Sequence, residues 1–145
     1  MNRSILIVDD EEDIRYALEI YLSHIGYKVL KAENGEEALS KFRVFVPDII
    51  LTDIKMPGMD GLELLKRIKR EDAETEVIMI TGHGDMDLAI NSIRNDAVDF
   101  LIKPINDDAL EIALKRAQDR LEMKRKLKAC EEQLNRLSGE KEPTV

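Results

Sequence analysis

The sequence predicts an α/β fold in which five parallel strands form one sheet covered by helices on both faces. Along the 145 residues, short apolar runs alternate five times with segments of helical periodicity. Each apolar run is bounded by turn residues, a pattern typical of strands buried in a parallel sheet. Right-handed crossovers then place the carboxyl ends of all five strands at one edge, where ligands bind in open α/β sheets.

The amino-terminal half of the chain holds three predicted strands and two helices. Strand 4–8 leads into Asp9 and Asp10, strand 27–32 is less apolar and is expected near the sheet edge, and strand 49–53 ends in Asp53. The first helix is expected to have Asp10 or Glu11 as its N-cap and to end at Gly26. The residues expected to face the core are Ile14, Ala17, Leu18, Tyr21, Leu22 and Ile25 in the first helix and Ala38, Leu39 and Phe42 in the second.

The carboxyl-terminal half holds two more strands and three more helices. Strand 77–81 ends in Thr81, and strand 99–102 is followed by Lys103. The helix between them is expected to begin after Asp85 and to be loosely held, because it is weakly apolar for its length. The last helix is expected to begin at Ala109, with Asn106 or Asp107 as its N-cap. The core-facing residues expected here are Leu62, Leu65 and Ile68 in the third helix and Ala89, Ile90, Ile93 and Ala97 in the fourth.

Composition and charge argue against several functional classes. The formal net charge is −8, and segment 115–128 alone carries seven basic and two acidic residues, so that the rest of the chain carries −13. An acidic body argues against nucleic-acid binding by the globular part, because phosphate contacts need clustered lysine and arginine. The apolar runs are too short to span a bilayer, the N-terminus lacks signal-peptide character, and the single cysteine, Cys130, cannot form an internal disulfide. We therefore expect a cytoplasmic protein without membrane contact.

The predicted strand ends together form a candidate phosphoryl-transfer site. The topology brings together three carboxylates, a hydroxyl and a lysine, namely Asp9, Asp10, Asp53, Thr81 and Lys103. Close carboxylates repel one another and attract a cation, and an all-oxygen set suits a hard divalent ion such as Mg²⁺. The cation and the lysine would neutralise a phosphoryl group, and the threonine would donate a hydrogen bond to it. An aspartate can itself act as the nucleophile and form an acyl phosphate.

Four motifs at successive strand ends resemble the receiver domain of two-component response regulators, the CheY-like family. They are Ile-Val-Asp-Asp-Glu at 7–11, Thr-Asp-Ile-Lys-Met-Pro-Gly-Met-Asp-Gly at 52–61, Ile-Thr-Gly-His at 80–83 and Phe-Leu-Ile-Lys-Pro at 100–104. The resemblance covers about residues 4–120, and the loop sequence is most similar to receivers of the nitrogen-regulation type. It implies a flavodoxin-like sheet with strand order 2-1-3-4-5 and a Lys103–Pro104 peptide bond of the kind that is often cis in the family.

The resemblance also implies a chemical role for each motif residue. Asp53 would accept a phosphoryl group from a sensor histidine kinase, and Lys103 would pair with the phosphoryl oxygens. The implied Mg²⁺ ligands are Asp10, Asp53 and the backbone carbonyl of Lys55, with Asp9 acting through water.

A conformational switch is implied in the same way. Thr81 would move toward the phosphoryl group and Phe100 would swing inward behind it, so that the fourth helix, fifth strand and fifth helix form the output face. Phe100 lacks the hydroxyl of a tyrosine, so its two states would differ by packing alone. Lys55 and His83 flank the site and are expected to affect the lifetime of the acyl phosphate.

The fifth helix carries two apolar stripes that are out of phase with each other. The first, expected to pack on the receiver domain, consists of Leu110, Leu114, Ala117 and Leu121. The second consists of Met123, Leu127, Cys130, Leu134 and Leu137. Its heptad spacing indicates a short coiled coil and hence a homodimer. The alternatives are a solvated helix that frays after about Arg125 and a basic DNA-reading helix, although no base-reading motif accompanies the charge.

The boundary of the phosphoacceptor domain is expected near the change of stripe. Residues 1–122 would form the receiver, and residues 123–145 a helical linker and polar tail, with the helix ending at Ser138-Gly139. A helix that leads from a receiver into such a tail suggests that an effector or kinase domain follows Val145 in a longer protein.

Three other functions would use part of the same residue set. A phosphatase of the haloacid dehalogenase type also needs a strand-end aspartate, Mg²⁺, a hydroxyl and a lysine, but it carries a second aspartate where this chain has Lys55. A dinucleotide-binding domain would have a glycine-rich turn instead of the acidic segment 9–13. A purely structural dimerisation module would have a degenerate site, whereas every expected residue is present. The favoured hypothesis is a signalling domain whose only catalysis is its own phosphorylation and dephosphorylation.

Overall fold

Five strands and five helices alternate along the chain, as the hydrophobic pattern predicts. The computed structural model describes residues 3–138. The strands are β1 (Arg3–Val8), β2 (Tyr27–Ala32), β3 (Ile49–Asp53), β4 (Glu76–Thr81) and β5 (Asp99–Ile102). The helices are α1 (Glu12–His24), α2 (Gly35–Phe45), α3 (Gly61–Glu71), α4 (Met86–Arg94) and α5 (Asp107–Ser138). All strand pairs are parallel and their order is β2-β1-β3-β4-β5, which confirms the predicted fold.

The sheet is covered on both faces because alternate residues of each strand point in opposite directions. Ile5 and Leu51 pack on the side of α1 and α5, whereas Leu6 and Ile50 pack on the side of α2 and α3. These four side chains are fully buried. Burial on both faces explains why β1 and β3 are continuous apolar runs rather than alternating ones.

The buried face of α4 differs from the predicted one. The expectation that Ile90 and Ile93 face the core is wrong, because they are 43% and 42% exposed. Ala89 is buried as expected, Ser92 is buried in addition, and the expected Ala97 is buried but follows the helix. The Ser92 hydroxyl donates to a carbonyl one turn earlier at 2.9 Å, so its burial leaves no polar group unpaired. A short helix buries only a narrow stripe, and small side chains occupy it here.

The other helices depart from the prediction only in detail. Ala17 in α1 and Ile25 just after it are exposed, and in α3 Leu64 is buried whereas the expected Leu62 is only partly buried. α5 begins two residues before Ala109, whose amide donates to Asn106 Oδ1 at 3.1 Å. Asn106 is therefore the residue that caps α5.

The two apolar stripes of α5 differ in burial, as predicted. The residues of the first stripe are at most 4% exposed, and they lie against the sheet. In the second stripe, Met123, Leu127, Leu134 and Leu137 are 60–76% exposed. α5 continues without a break to Ser138 rather than ending near Arg125. The predicted stop at Gly139 and the polar tail lie outside the described residues. Within residues 3–138, no helix has both the length and the apolarity of a transmembrane span.

The loop between β3 and α3 passes very close to the end of β3, and a glycine makes this possible. A Cβ at Gly61 would lie 2.3 Å from the carbonyl oxygen of Asp53 and 2.7 Å from Cα of Ile54. The Gly61 amide donates to the Ile54 carbonyl at 2.7 Å. Asp60 then begins α3 by accepting a hydrogen bond from the Glu63 amide at 2.9 Å. The absence of a side chain at Gly61 thus allows the loop that follows Asp53 to pass close to the end of β3.

Substitution of Gly61 by alanine is expected to lower the free energy of unfolding by about 3 kcal/mol, because backbone atoms cannot move aside for the methyl group. Urea unfolding followed by circular dichroism measures the change. Gly82→Ala is the matched control in a neighbouring loop, since a Cβ there would meet the Asp85 carboxylate at 3.4 Å. Equal stabilities of the two variants would contradict this account of the loop.

Candidate functional site

The parallel register brings the predicted site residues to one edge of the sheet. Asp53 lies beside Ile80 in the pairing of β3 with β4. The Lys103 amide donates to the Thr81 carbonyl at 2.8 Å, just beyond the paired part of β4 and β5. Asp9 follows β1 directly. Residues from four strands, far apart in the chain, therefore share one pocket.

Three carboxylates converge in this pocket. Oxygen atoms of Asp9, Asp10 and Asp53 all lie within 4.8 Å of one another. Asp9 is 0% exposed and Asp53 is 6% exposed, whereas Asp10 lies at the exposed rim. Asp9 Oδ1 accepts a hydrogen bond from the Glu11 amide at 2.9 Å, which holds the turn into α1. Asp9 Oδ2 has no hydrogen-bond partner in the described part of the chain.

Lys103 supplies the positive charge of the pocket. Its Nζ donates a hydrogen bond to Asp53 Oδ2 at 3.0 Å and lies 3.7 Å from Asp9 Oδ2 and 3.5 Å from Glu11 Oε1. Burial disfavours the ammonium, but the hydrogen bond and charge of Asp53, with the charges of Asp9 and Glu11, outweigh burial and raise the pKa of Lys103. The lysine therefore stays protonated. The peptide bond between Lys103 and Pro104 is cis.

The environment of Asp9 opposes its ionisation. Burial raises the pKa of Asp9 to about 6, and the negative charges of Asp53 and Asp10 act in the same direction. The Glu11 amide and the Lys103 ammonium offset only part of this effect. The negative charge of the three carboxylates is thus only partly compensated by the ammonium of Lys103.

The two predicted switch residues border the pocket without a described contact to its carboxylates. Thr81 is buried at the end of β4, and its hydroxyl donates to the Gly82 carbonyl at 3.5 Å. Phe100 is partly buried and packs on the α2 and α3 side of the sheet. Within residues 3–138, the Thr81 hydroxyl is therefore hydrogen-bonded to its own loop and not to Asp53.

Two residues that were expected only as helix N-caps, Glu11 and Asp85, form ion pairs with predicted site residues. Glu11 pairs with Lys103, although the sequence indicated only an N-cap, and α1 has no side-chain cap bond at this residue. The Lys55 ammonium lies 2.9 Å from Asp85 Oδ1. This ion pair connects the loop after β3 with the loop after β4. The exposed His83 lies in the same β4–α4 loop.

The donor set fits a hard divalent cation. Three close carboxylates face one ammonium, and a buried oxygen of Asp9 lacks a hydrogen bond that an ion or its bound water would supply. An all-oxygen set of this kind is what Mg²⁺ prefers in proteins. Asp9, Asp10 and Asp53 are the side chains that would hold it.

Sequence and fold are both similar to those of described proteins. A family model described as response regulator receiver domain matches residues 5–115. NtrC of Salmonella typhimurium, a DNA-binding transcriptional regulator, is 42% identical over 118 residues, which cover 81% of this chain and 25% of that protein. The crystal structure of NtrX from Brucella abortus in complex with ADP has a TM-score of 0.83 and 37% identity, covering 88% of this chain and 30% of that one. A response regulator receiver domain protein from Clostridium thermocellum has a TM-score of 0.79 and 34% identity, covering 86% and 98%. The chain spans about a quarter of the length of the curated relatives it matches.

Asp9→Asn is expected to raise the free energy of unfolding at pH 7, without divalent cations, by about 1–3 kcal/mol. The folded-state pKa of about 6 lies above the ordinary 3.8, so ionised Asp9 lowers stability fully above pH 6 and not at all below the ordinary value. The gain should therefore shrink as the pH falls from about 6 to about 4. Added Mg²⁺ should stabilise the wild type more than the variant.

Urea unfolding between about pH 4 and pH 8 measures this difference. Asp13→Asn, which removes an exposed carboxylate from α1, is the control and should change stability little at any pH. A stability gain in Asp9→Asn that does not depend on pH would show that burial of the charge is not its cause.

Proposed function

The chain belongs to the response regulator receiver domain family, and on this premise we propose that Asp53 is its phosphoacceptor. The observation that carries the proposal is the position of Asp53, almost buried at the end of β3 with Oδ2 3.0 Å from Lys103 Nζ. Receiver domains take their phosphoryl groups from sensor histidine kinases, so a kinase of this kind is the proposed partner. The domain is a signalling module, and its proposed catalysis is limited to its own phosphorylation and dephosphorylation.

The proposed reaction transfers phosphorus from nitrogen to oxygen. A carboxylate oxygen of Asp53 forms the new O–P bond while the P–N bond of the phosphohistidine breaks and its electron pair returns to the imidazole. Lys103 remains protonated and neutralises charge on the phosphoryl oxygens. The Thr81 hydroxyl turns from the Gly82 carbonyl to a phosphoryl oxygen, and Phe100 moves inward into the space behind it.

Magnesium is the proposed cofactor. Its ligands would be Asp10, Asp53 and the backbone carbonyl of Lys55, with Asp9 acting through water. When bound, the ion would neutralise negative charge that the three carboxylates and the phosphoryl group accumulate. Because Asp9 cannot easily leave its buried position, it would help to set the size of the ion site.

The proposed output face is formed by α4, β5 and α5. Five large apolar residues on these adjacent elements are 38–54% exposed, namely Met86, Ile90, Ile93, Ile102 and Ile112. Exposed apolar groups of this size are typical of protein–protein contacts. We propose that residues 1–122 act as the phosphoacceptor domain, that segment 123–145 is a linker, and that an effector domain in a longer protein receives the signal, as the DNA-binding relatives suggest.

A haloacid dehalogenase-type phosphatase is not supported. Such an enzyme would need an acid two residues after the nucleophile, and this position is Lys55, whose ammonium is paired with Asp85. The receiver-domain family model also matches residues 5–115, which in such a phosphatase would have to form a different kind of domain.

Homodimerisation through the second stripe of α5 is the second part of the proposal. The stripe is exposed over four large side chains, and its spacing alternates between four and three residues. A second copy with the same spacing would bury this stripe in a left-handed coiled coil. About two heptads are present, so the dimer is expected to be weak.

Incubation with Mg²⁺ and acetyl phosphate is expected to add one phosphoryl group to the wild type and none to Asp53→Asn. Intact-mass spectrometry measures the addition directly. Asp87→Asn removes a carboxylate from the first turn of α4 and should be phosphorylated like the wild type. Phosphorylation of Asp53→Asn to the wild-type level would refute the assignment of the acceptor.

Leu134→Glu is expected to abolish self-association, because it places a charge in the centre of the proposed coiled-coil seam. Sedimentation equilibrium of the full chain measures the mass, and Gln133→Glu introduces the same charge beside the seam as a control. In a parallel, in-register dimer the two copies of Cys130 face each other, so mild oxidation should cross-link the wild type. Equal masses for the wild type and Leu134→Glu would exclude the dimer.

A further inference from the structure

A second buried charge cluster lies at the amino-terminal edge of the sheet, opposite the acidic pocket. Glu76 begins β4 and is 0% exposed, and among residues 3–138 its carboxylate oxygens are paired only with cations. Three cations surround the carboxylate. The nitrogen–oxygen distances are 3.8 Å for Lys69, 3.4 Å for Arg120 and 2.8 Å for Lys124. A carboxylate this deeply buried remains in a fold only with such compensating charges.

Asp96 extends this cluster to the end of α4. It lies in the turn after the helix with a φ of 79°, a left-handed conformation uncommon outside glycine. Its carboxylate is hydrogen-bonded to Arg120 and lies 3.5 Å from Lys69 Nζ. Burial alone would raise the pKa of Asp96, but the hydrogen bond and the nearby cations lower it, so the group is ionised. Lys69 and Arg120 are therefore each shared between two carboxylates.

The cluster joins four elements, because its members come from α3, β4, the α4–β5 turn and α5. The cluster contacts α5 at the point where the apolar contacts of the helix end, because Leu121 is its last buried residue. Lys124 also donates to the Ala73 carbonyl at 2.8 Å. One turn further, Lys128 Nζ lies 3.5 Å from a Glu74 oxygen. Beyond Leu121, charge rather than apolar burial holds α5 to the domain.

We propose that the Glu76 cluster, meaning Glu76, Asp96, Lys69, Arg120 and Lys124, is a rigid joint that sets the direction in which α5 leaves the domain. The joint directs the basic side of the helix toward the body, so that the second apolar stripe faces solvent. Because Arg120 contacts both Glu76 and Asp96, the end of α4 cannot move away without breaking ion pairs or carrying α5 with it. This inference uses no residue of the acidic pocket and stands independently of the phosphoacceptor proposal.

Hydrogen exchange followed by mass spectrometry tests the joint in the full chain. All variants carry Leu134→Glu, so that self-association cannot protect the helix. Glu76→Gln should accelerate amide exchange in residues 122–130 about tenfold or more, because three partly buried cations lose their counter-charge. Asp96→Asn, which tolerates the left-handed turn, should accelerate exchange in residues 93–98, and in residues 122–130 less than Glu76→Gln does, because Arg120 keeps Glu76 as a partner.

Two exposed positions on the same stretch of α5 supply the controls. Glu122→Gln and Lys126→Ala make the same chemical changes outside the cluster and should leave exchange at wild-type rates. Lys124→Ala is a milder second variant in case Glu76→Gln does not fold, and it should accelerate residues 122–130 about threefold. Wild-type exchange of this segment in both Glu76→Gln and Lys124→Ala would overturn the proposal. Equal acceleration in β1 and β3 would overturn it too, because it would show a general loss of stability instead of a local joint.

Discussion

The ion pair between Lys103 and the carboxylates at the sheet edge is the interaction on which the site depends. One ammonium lies within 4 Å of oxygen atoms from Asp9, Glu11 and Asp53, and it links the end of β5 to the ends of β1 and β3. It lowers the mutual repulsion of the acids but does not cancel it, as the raised pKa of Asp9 indicates. The remaining negative charge suits the pocket to a cation, which would in turn help it to accept a phosphoryl group.

This arrangement requires a parallel sheet and a very close loop. Parallel pairing with right-handed crossovers places all strand ends at one edge, so that residues fifty or more positions apart meet without any long loop. The loop after Asp53 must then turn immediately toward α3, and the absence of a side chain at Gly61 allows its backbone to approach that of Asp53. The strand ends thus place the carboxylates, and the ion pair between Lys55 and Asp85 joins the loops after β3 and β4 beside them.

Strand β4 connects the two charged ends of the domain. Thr81 is at its carboxyl end beside the acidic pocket, and Glu76 is at its amino end inside the second cluster. α4 runs between the same two ends, with its first turn near the pocket loops and Asp96 held at the far side by Arg120. The far end of α4 is thus joined to α5 through Arg120, whereas the residue before its first turn, Asp85, is joined to the loop after β3 through Lys55.

The sequence by itself determined the order of the elements, the parallel topology and the members of the acidic pocket. Those features depend on local apolar runs and on the polar residue that ends each one, and both are visible in the chain. Only the tertiary structure decided that Ile90 and Ile93 are exposed, that Glu11 pairs with Lys103, and that Glu76 is buried. A glutamate at the start of a strand is ordinarily solvated, and nothing nearby in the sequence indicates otherwise. Its burial arises because α3 and α5, distant in sequence, bring Lys69, Arg120 and Lys124 across it, and such contacts follow from packing in three dimensions, not from periodicity along the chain.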